Sequence, residues 1–168
     1  MQKEIMARNE LVRVVNDLLG KKMSGEKFFD ALDESIKNSE LIIESLIEKV
    51  PEHIGLVISG GFGKVVSDLI EQGSMPKRPY ILYAGGIRSG GSPDVLSNKL
   101  SGCTDLIFVD DTIYGGKTYR VIKEHLKKSN IEVRSVLVVY DGCPEKRENI
   151  ESLFRYYDHF ESIPNYKF

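Results

Sequence analysis

The chain has 168 residues, of which 41% are hydrophobic and 29% charged; this balance is typical of one folded domain and excludes general disorder. The net charge of -2 gives no reason to expect nucleic acid or an anionic membrane as a partner. The two cysteines, Cys103 and Cys143, lie too far apart for a CxxC pair and do not indicate a disulfide scaffold. The N-terminal stretch lacks the apolar core of a signal peptide and no apolar run reaches the length of a membrane span, so we expect a cytoplasmic protein.

The first 51 residues are predicted to be helical. Leu11, Val14, Val15, Leu18 and Leu19 recur at the spacing of one helical face. A second helix is predicted to start near Ser24, with an apolar stripe of Phe28, Phe29, Leu32 and Ile36. It either continues or restarts at Ser39, and it stops before Pro51. These helices carry no grouping that suggests chemistry, so we assign them to packing or to a subunit interface.

The pattern changes to short apolar runs after residue 53. The runs 54–59, 80–84, 105–110 and 133–141 are typical of strands that are buried on both faces, and helical patterns cover 63–72 and 117–128. Alternating strands and helices predict an α/β fold with an open, mainly parallel sheet. The tail, 145–168, is predicted to hold a helix and then an aromatic-rich end. We therefore expect a single domain over 1–168, made of a helical extension (1–51), an α/β core (52–142) and a tail that can act as a hood (143–168).

Glycines gather where the predicted strands end. The segments that follow the strands are SGGFGK (59–64), AGGIRSGG (84–91), DDTIYGGKT (110–118) and YDG (140–142). The carboxyl ends of parallel strands meet at one edge of the sheet, which is where open α/β sheets bind ligands. This edge is the predicted functional face.

The segment LIFVDDTIYGGKT (106–118) allows two interpretations. Its ending, GGKT, could close a nucleoside-triphosphate P-loop, but the first glycine of that motif would fall on Asp111, whose carboxylate would repel phosphate. Alternatively, Asp110 and Asp111 accept hydrogen bonds from ribose hydroxyls and help to hold a sugar-bound Mg²⁺. The turn Tyr114-Gly115-Gly116-Lys117-Thr118 would then cradle a phosphate at the start of a helix. We favour this second interpretation, a ribose 5-phosphate site.

This segment resembles the phosphoribosyl pyrophosphate (PRPP) signature of the type I phosphoribosyltransferases. The resemblance implies that Asp110 and Asp111 contact the ribose hydroxyls and that residues 114–118 contact the 5′-phosphate. It also implies a pyrophosphate loop at SGGFGK, with Ser59, Gly60, Gly61 and Lys64. The family often has an acid where this chain has Tyr114, and usually a threonine where it has Gly115.

The resemblance also implies a mobile loop over the active site. Residues 85–102 occupy its place, and Arg88 or Lys99 could reach the leaving pyrophosphate. Within this stretch, Ser92-Pro93-Asp94 is a good start for a short helix.

The function that the resemblance implies is transfer of ribose 5-phosphate from PRPP to a nucleobase, with a purine preferred, using Mg²⁺ in a homodimer or higher homo-oligomer. Two alternatives stay open: a non-catalytic PRPP or nucleotide sensor of the same fold, and a metal-dependent phosphatase built on Asp110 and Asp111. The acceptor base is expected in a hood outside the core, for which the N-terminal helices and the tail are the candidates. In the tail, Tyr156, Tyr157 and Phe160 could stack on a base, but aromatics at these spacings are more often core or dimer contacts. Asp141, which follows a core strand, is a further candidate. His53 and His159 are interpreted as structural or exposed.

Overall fold

A computed structural model of the chain describes residues 2–22, 25–78, 80–84, 105–114, 116–128, 130–143 and 145–158. The described helices are α1 (Gln2–Gly20), α2 (Gly25–Lys37), α3 (Glu40–Glu48), α4 (Gly60–Glu71) and α5 (Lys117–Lys127). The described strands are β1 (Gly55–Ser59), β2 (Ile81–Ala84), β3 (Leu106–Ile113), β4 (Val133–Asp141) and β5 (Ile150–Arg155), and a 3₁₀ turn follows at Tyr156–Asp158. None of the helices in these ranges combines the length and apolarity that a membrane crossing needs.

The strands form one parallel sheet in the order β2-β1-β3-β4-β5. Helices α1 to α4 cover one face, where their apolar side chains share a cluster with Leu56, Ile58 and Val109. Helix α5 covers the other face and packs Ile122 and Leu126 on Phe108. The predicted α/β class with an open parallel sheet is confirmed, because the apolar runs of β1, β3 and β4 are buried between helices on both faces.

The three N-terminal helices follow the predicted apolar spacing. The stripe of α2, with Phe28, Phe29, Leu32 and Ile36, is fully or almost fully buried. The chain restarts at Ser39, whose hydroxyl accepts the Ile42 N–H at 3.3 Å and begins α3. The extension therefore packs against the sheet through the same core that the strands form.

The predicted helix in the tail is wrong for the described residues. Residues 150–155 form β5, which pairs in parallel with β4 from Val136↔Ile150 to Asp141↔Arg155. The apolar residues Ile150, Leu153 and Phe154 have the i, i+3, i+4 spacing of a helix, which explains the wrong prediction. Hydrogen bonds offered by the open edge of β4 override that local pattern.

Candidate functional site

The sheet opens between β1 and β3 at its carboxyl edge. The β1–β3 register holds only three pairs and ends at Val57↔Phe108, whereas β1 stays paired with β2 as far as Ser59↔Ala84. On the other side, β3 stays paired with β4 as far as Ile113↔Asp141. The strand order also reverses direction here, because β1 is followed along the chain by β2 on one side and β3 on the other. Open α/β sheets bind ligands at such a switch point.

Asp110 and Asp111 lie inside β3, which runs three residues beyond its predicted end. Side chains alternate across a strand, so the two carboxylates point to opposite faces. Asp110 is half-buried and lines a cleft on the α5 side. Asp111 is 6% exposed, and its Oδ1 accepts the Thr112 N–H at 2.8 Å. The two acids that look equivalent in the sequence therefore have different surroundings.

The cleft beside Asp110 has a volume of about 200 Å³. It is also lined by the turn that begins α5, through Gly116, Lys117 and Thr118. Gly116 precedes the helix with φ of 80°, a left-handed conformation that favours glycine. Of the predicted phosphate loop, the structure thus brings these three residues and Tyr114 together with Asp110, while Gly115 lies outside the described residues.

The second predicted loop begins α4 on the other side of the opening. Ser59 ends β1 and is 6% exposed, and Gly60 follows with φ of 63°. The Tyr83 hydroxyl donates a hydrogen bond to the Gly60 carbonyl at 3.0 Å, which ties the turn to β2. Gly61 and Lys64 are exposed in the first turns of the helix. The turn therefore presents the N-terminal N–H groups of α4 at the edge of the sheet.

Sequence reasoning did not identify Lys37, which lies at this second loop. Lys37 ends α2, and its Nζ is 3.5 Å from the position that a Cβ on Gly61 would occupy. Its described partner is Glu34, at 3.4 Å on the same helix. Only the packing of α2 on the sheet brings this ammonium to α4, so no local pattern in the sequence could have indicated it.

Tyr114 is half-buried against two aromatic rings, and its hydroxyl oxygen is buried. Its ring lies 4.2 Å from Phe29 and 5.9 Å from Tyr140, measured between centroids. A Cβ on Gly142 would overlap the Tyr114 ring, so a glycine there makes room for it. Burial is the main cause that raises the pKa of Tyr114 above its usual value, and the charges of Tyr140, Asp33 and Asp111 act in the same direction. The phenol stays protonated, so it does not replace the acid that the related signature often has.

Asp141, a candidate for contact with the base, is 3% exposed at the end of β4. Its Oδ1 accepts the Cys143 N–H at 2.9 Å and lies 3.4 Å from Arg147 Nη2. Arg147, which sequence reasoning did not identify, extends from there toward Gly116. The Asp141 carboxylate therefore stabilises the turn after β4 and positions the Arg147 guanidinium group.

The predicted aromatic hood is only partly described. Tyr156 is fully buried and packs on Phe28 and Tyr140, with ring centroids 6.2 Å away in both cases. Tyr156 is therefore a core residue, as the favoured interpretation of these aromatics expects, and its ring, enclosed by the sheet and α2, does not stack on a base. His53 is exposed, as one of its two interpretations expects. The other predicted residues that lie outside the described residues are Arg88, Lys99, the rest of 85–102, His159 and Phe160, and nothing is described of the Tyr157 side chain.

No protein-family model matches the chain, and no curated protein sequence matches it. Solved structures do match. Adenine phosphoribosyltransferase from Thermoanaerobacter pseudethanolicus is 12% identical, and the match covers 72% of this chain and 83% of that chain with a TM-score of 0.53. Orotate phosphoribosyltransferase from Aeropyrum pernix is 16% identical, with 84% and 76% covered and a TM-score of 0.49. The first match, together with the parallel sheet, confirms that the chain has a phosphoribosyltransferase-like fold.

Proposed function

We propose that the chain is a phosphoribosyltransferase, which transfers ribose 5-phosphate from PRPP to a nucleobase and releases pyrophosphate. The observation that carries the proposal is the pair of glycine-initiated helices, α4 and α5, on the two sides of the opening between β1 and β3. Helix N-termini bind phosphate groups through free N–H donors and the positive end of the helix dipole. Two such ends with a carboxylate in between suit a sugar that carries a phosphate at one end and a diphosphate at the other.

Each end of PRPP has its own loop in this proposal. The 5′-phosphate binds at residues 114–118, where Gly116, Lys117 and Thr118 line the cleft. The pyrophosphate binds at Ser59, Gly60, Gly61 and Lys64, with Lys37 nearby. Asp110 accepts hydrogen bonds from the ribose hydroxyls, since its carboxylate shares the cleft with the phosphate turn. Asp111 supports this arrangement by accepting the Thr112 N–H, which holds the backbone at that point. We also propose that Arg88 and Lys99 are cations that reach the leaving pyrophosphate.

The chemistry of the step is displacement at the anomeric carbon of the ribose. Positive charge develops on the sugar as pyrophosphate leaves, and a base nitrogen forms the new bond. The chain's contribution is to position both ends of the sugar and to place the Asp110 carboxylate near the developing charge. Closure of residues 85–102 would exclude water, which otherwise hydrolyses PRPP.

Mg²⁺ fits this site as an ion carried by the substrate. Within the described residues, no three His, Cys, Asp or Glu side chains gather as a metal cage. Mg²⁺ is commonly held by one or two carboxylates together with substrate phosphates, and the half-buried Asp110 in the cleft can supply one. We assign the metal contact to Asp110, directly or through water, with Asp111 behind it. When bound, the ion neutralises the pyrophosphate as a Lewis acid.

The acceptor is proposed to be a nucleobase, with a purine preferred, and the protein is proposed to act in the cytoplasm as a homodimer or higher homo-oligomer. One observation favours a second candidate function, a PRPP or nucleotide sensor without turnover. The Tyr114 hydroxyl is buried and protonated, so it offers no base for the acceptor proton. The enzyme and the sensor share the PRPP site and differ in whether pyrophosphate is released.

Calorimetric titration with PRPP and Mg²⁺ tests the shared site. We expect binding to the wild type and a loss of affinity of at least tenfold in Asp110→Asn, which retains size but loses the charge. A screen of purine and pyrimidine bases for pyrophosphate release then separates enzyme from sensor. A folded wild-type protein that binds no PRPP would refute both functions, and PRPP binding without release from any base would favour the sensor.

A further inference from the structure

Helix α2 lies across the opening between β1 and β3. Near the start of α2, Phe29 contacts Tyr114, the residue that follows β3, with ring centroids 4.2 Å apart. At the last residue of α2, Lys37 Nζ lies 3.5 Å from the position that a Cβ on Gly61 would occupy in the first turn of α4. One face of α2 therefore touches the β3 side of the opening at one end and the β1 side at the other.

Asp33 lies on this face between the two contacts. Phe29, Asp33 and Lys37 follow one another at intervals of four residues, so their side chains line one face of the helix about 6 Å apart along its axis. We call these three residues the α2 ridge. Asp33 is half-buried and its Oδ1 atom is buried. Its charge is one of the causes that raise the pKa of Tyr114, in agreement with a carboxylate close to that phenol.

The α2 ridge runs in the same order as the groups that take part in the proposed reaction. Lys37 lies at the α4 turn, where the pyrophosphate is proposed to bind. The base attacks the anomeric carbon from the side away from the leaving pyrophosphate, so it lies toward the other end of the ridge. Tyr114, which contacts that end, also lines the cleft that holds Asp110. Asp33 is therefore the polar group of the ridge that lies nearer to the incoming base.

We propose that Asp33 accepts a hydrogen bond from an N–H that the base retains after the transfer, so that α2 selects neutral bases with such a donor and rejects bases that carry a carboxylate. The proposal rests on the proposed function, which supplies the PRPP site. An ionised carboxylate accepts hydrogen bonds and donates none, so a base that presents only oxygen there makes no favourable contact with it. A carboxylate has about four acceptor sites, so Asp33 can keep its contacts within the protein and still serve a ligand.

Calorimetric titration with nucleotides measures this contact without turnover. The ligands are ribose 5-phosphate, which lacks a base, and the 5′-monophosphates of adenosine, guanosine and orotidine, of which the last carries a carboxylate. We expect the wild type to bind one of the two purine nucleotides at least about 10-fold more tightly than the orotidine nucleotide. Asp33→Asn should weaken binding of that purine nucleotide about 10-fold, because the hydrogen bond loses its charge, and should leave ribose 5-phosphate affinity unchanged. The matched control Asp30→Asn changes an exposed aspartate of the same helix and should alter none of these affinities.

The ribose 5-phosphate titration and a thermal melt separate base contact from a structural role. Equal losses of ribose 5-phosphate and purine nucleotide binding in Asp33→Asn would make Asp33 a structural residue and overturn the inference. Unchanged nucleotide affinity in a folded Asp33→Asn that still binds PRPP would overturn it too and leave the proposed function intact. If Asp33→Asn does not fold, the wild type decides, since equal affinities for the purine and orotidine nucleotides would refute the selection. A wild type that binds neither PRPP nor ribose 5-phosphate would overturn the proposed function and this inference with it.

Discussion

Alanine substitution should mainly lower stability at Asp111 and mainly weaken PRPP binding at Asp110. In Asp111→Ala the buried N–H of Thr112 loses the carboxylate that it contacts at 2.8 Å. An unsatisfied buried donor costs about 1–3 kcal/mol. For a chain of 168 residues each kcal/mol lowers the melting temperature by roughly 2–4 °C, so a loss of about 2 kcal/mol lowers it by roughly 4–8 °C.

Asp110→Ala should affect stability much less. Asp110 Oδ1 accepts the Asp111 N–H at 2.9 Å, but this residue is half-buried and water can take over the contact. We expect a change below about 1 kcal/mol in the free energy of unfolding. PRPP affinity should fall at least about tenfold, because a charged acceptor in the cleft is lost.

Differential scanning calorimetry and titration with PRPP and Mg²⁺ measure the two effects separately. Asp111→Asn is the matched control, since its side-chain oxygen can still accept the Thr112 N–H and should restore most of the melting temperature. Equal destabilisation by both alanine substitutions would refute the assignment of the two acids to different faces. So would an Asp111→Ala protein of unchanged stability that has lost PRPP binding.

Three further predictions follow from other contacts. The pKa of Tyr114 is raised in the folded state, so the unfolded chain loses this proton first and the free energy of unfolding should fall as the pH rises above about 10. Urea titrations at pH 9 to 11 should show a smaller fall in Tyr114→Phe. An equal dependence of the unfolding free energy on pH in both proteins would contradict this. Arg78 donates hydrogen bonds to the carbonyls of Ile47, Val50 and Pro51 at 2.7–2.9 Å. Arg78→Met should therefore lower the free energy of unfolding, measured by urea denaturation, by about 2 kcal/mol. An unchanged urea midpoint would show that water replaces the arginine. Lys37→Gln should weaken pyrophosphate binding by about twofold to fivefold in calorimetry. The control is Lys27→Gln, which changes an exposed lysine of the same helix and should leave the affinity unchanged. Equal pyrophosphate affinities in the two variants would exclude Lys37 from the site.

Local patterns predict the fold of this chain well because burial on both faces leaves a strong signal. The apolar runs of β1 to β4 are nearly continuous in sequence and the stripe of α2 recurs at helical spacing, so the sequence alone indicates them. The strand β5 was missed because its apolar spacing matches a helix, and pairing with β4 decides its conformation.

The site is harder to predict because part of it is assembled from distant segments. Gly60 directly follows β1, Gly116 lies three positions after the end of β3, and their positive φ angles agree with the glycine clusters in the sequence. Lys37 and Arg147 reach these turns only through tertiary packing and have no motif of their own. Asp110 and Asp111 lie on opposite faces of the sheet only because β3 extends past them, and the end of a strand is poorly determined by local sequence.

The short register between β1 and β3 gives the molecule a seam. Beyond Val57↔Phe108 no ladder pair joins the two strands, so the α4 and α5 ends can move apart without breaking a strand–strand hydrogen bond there. A ligand with phosphate groups at both ends would contact the N-termini of α4 and α5 at once and so connect the two sides of this seam, where the backbone makes no hydrogen bond. Binding would therefore stiffen the sheet along the line where the β1–β3 ladder stops.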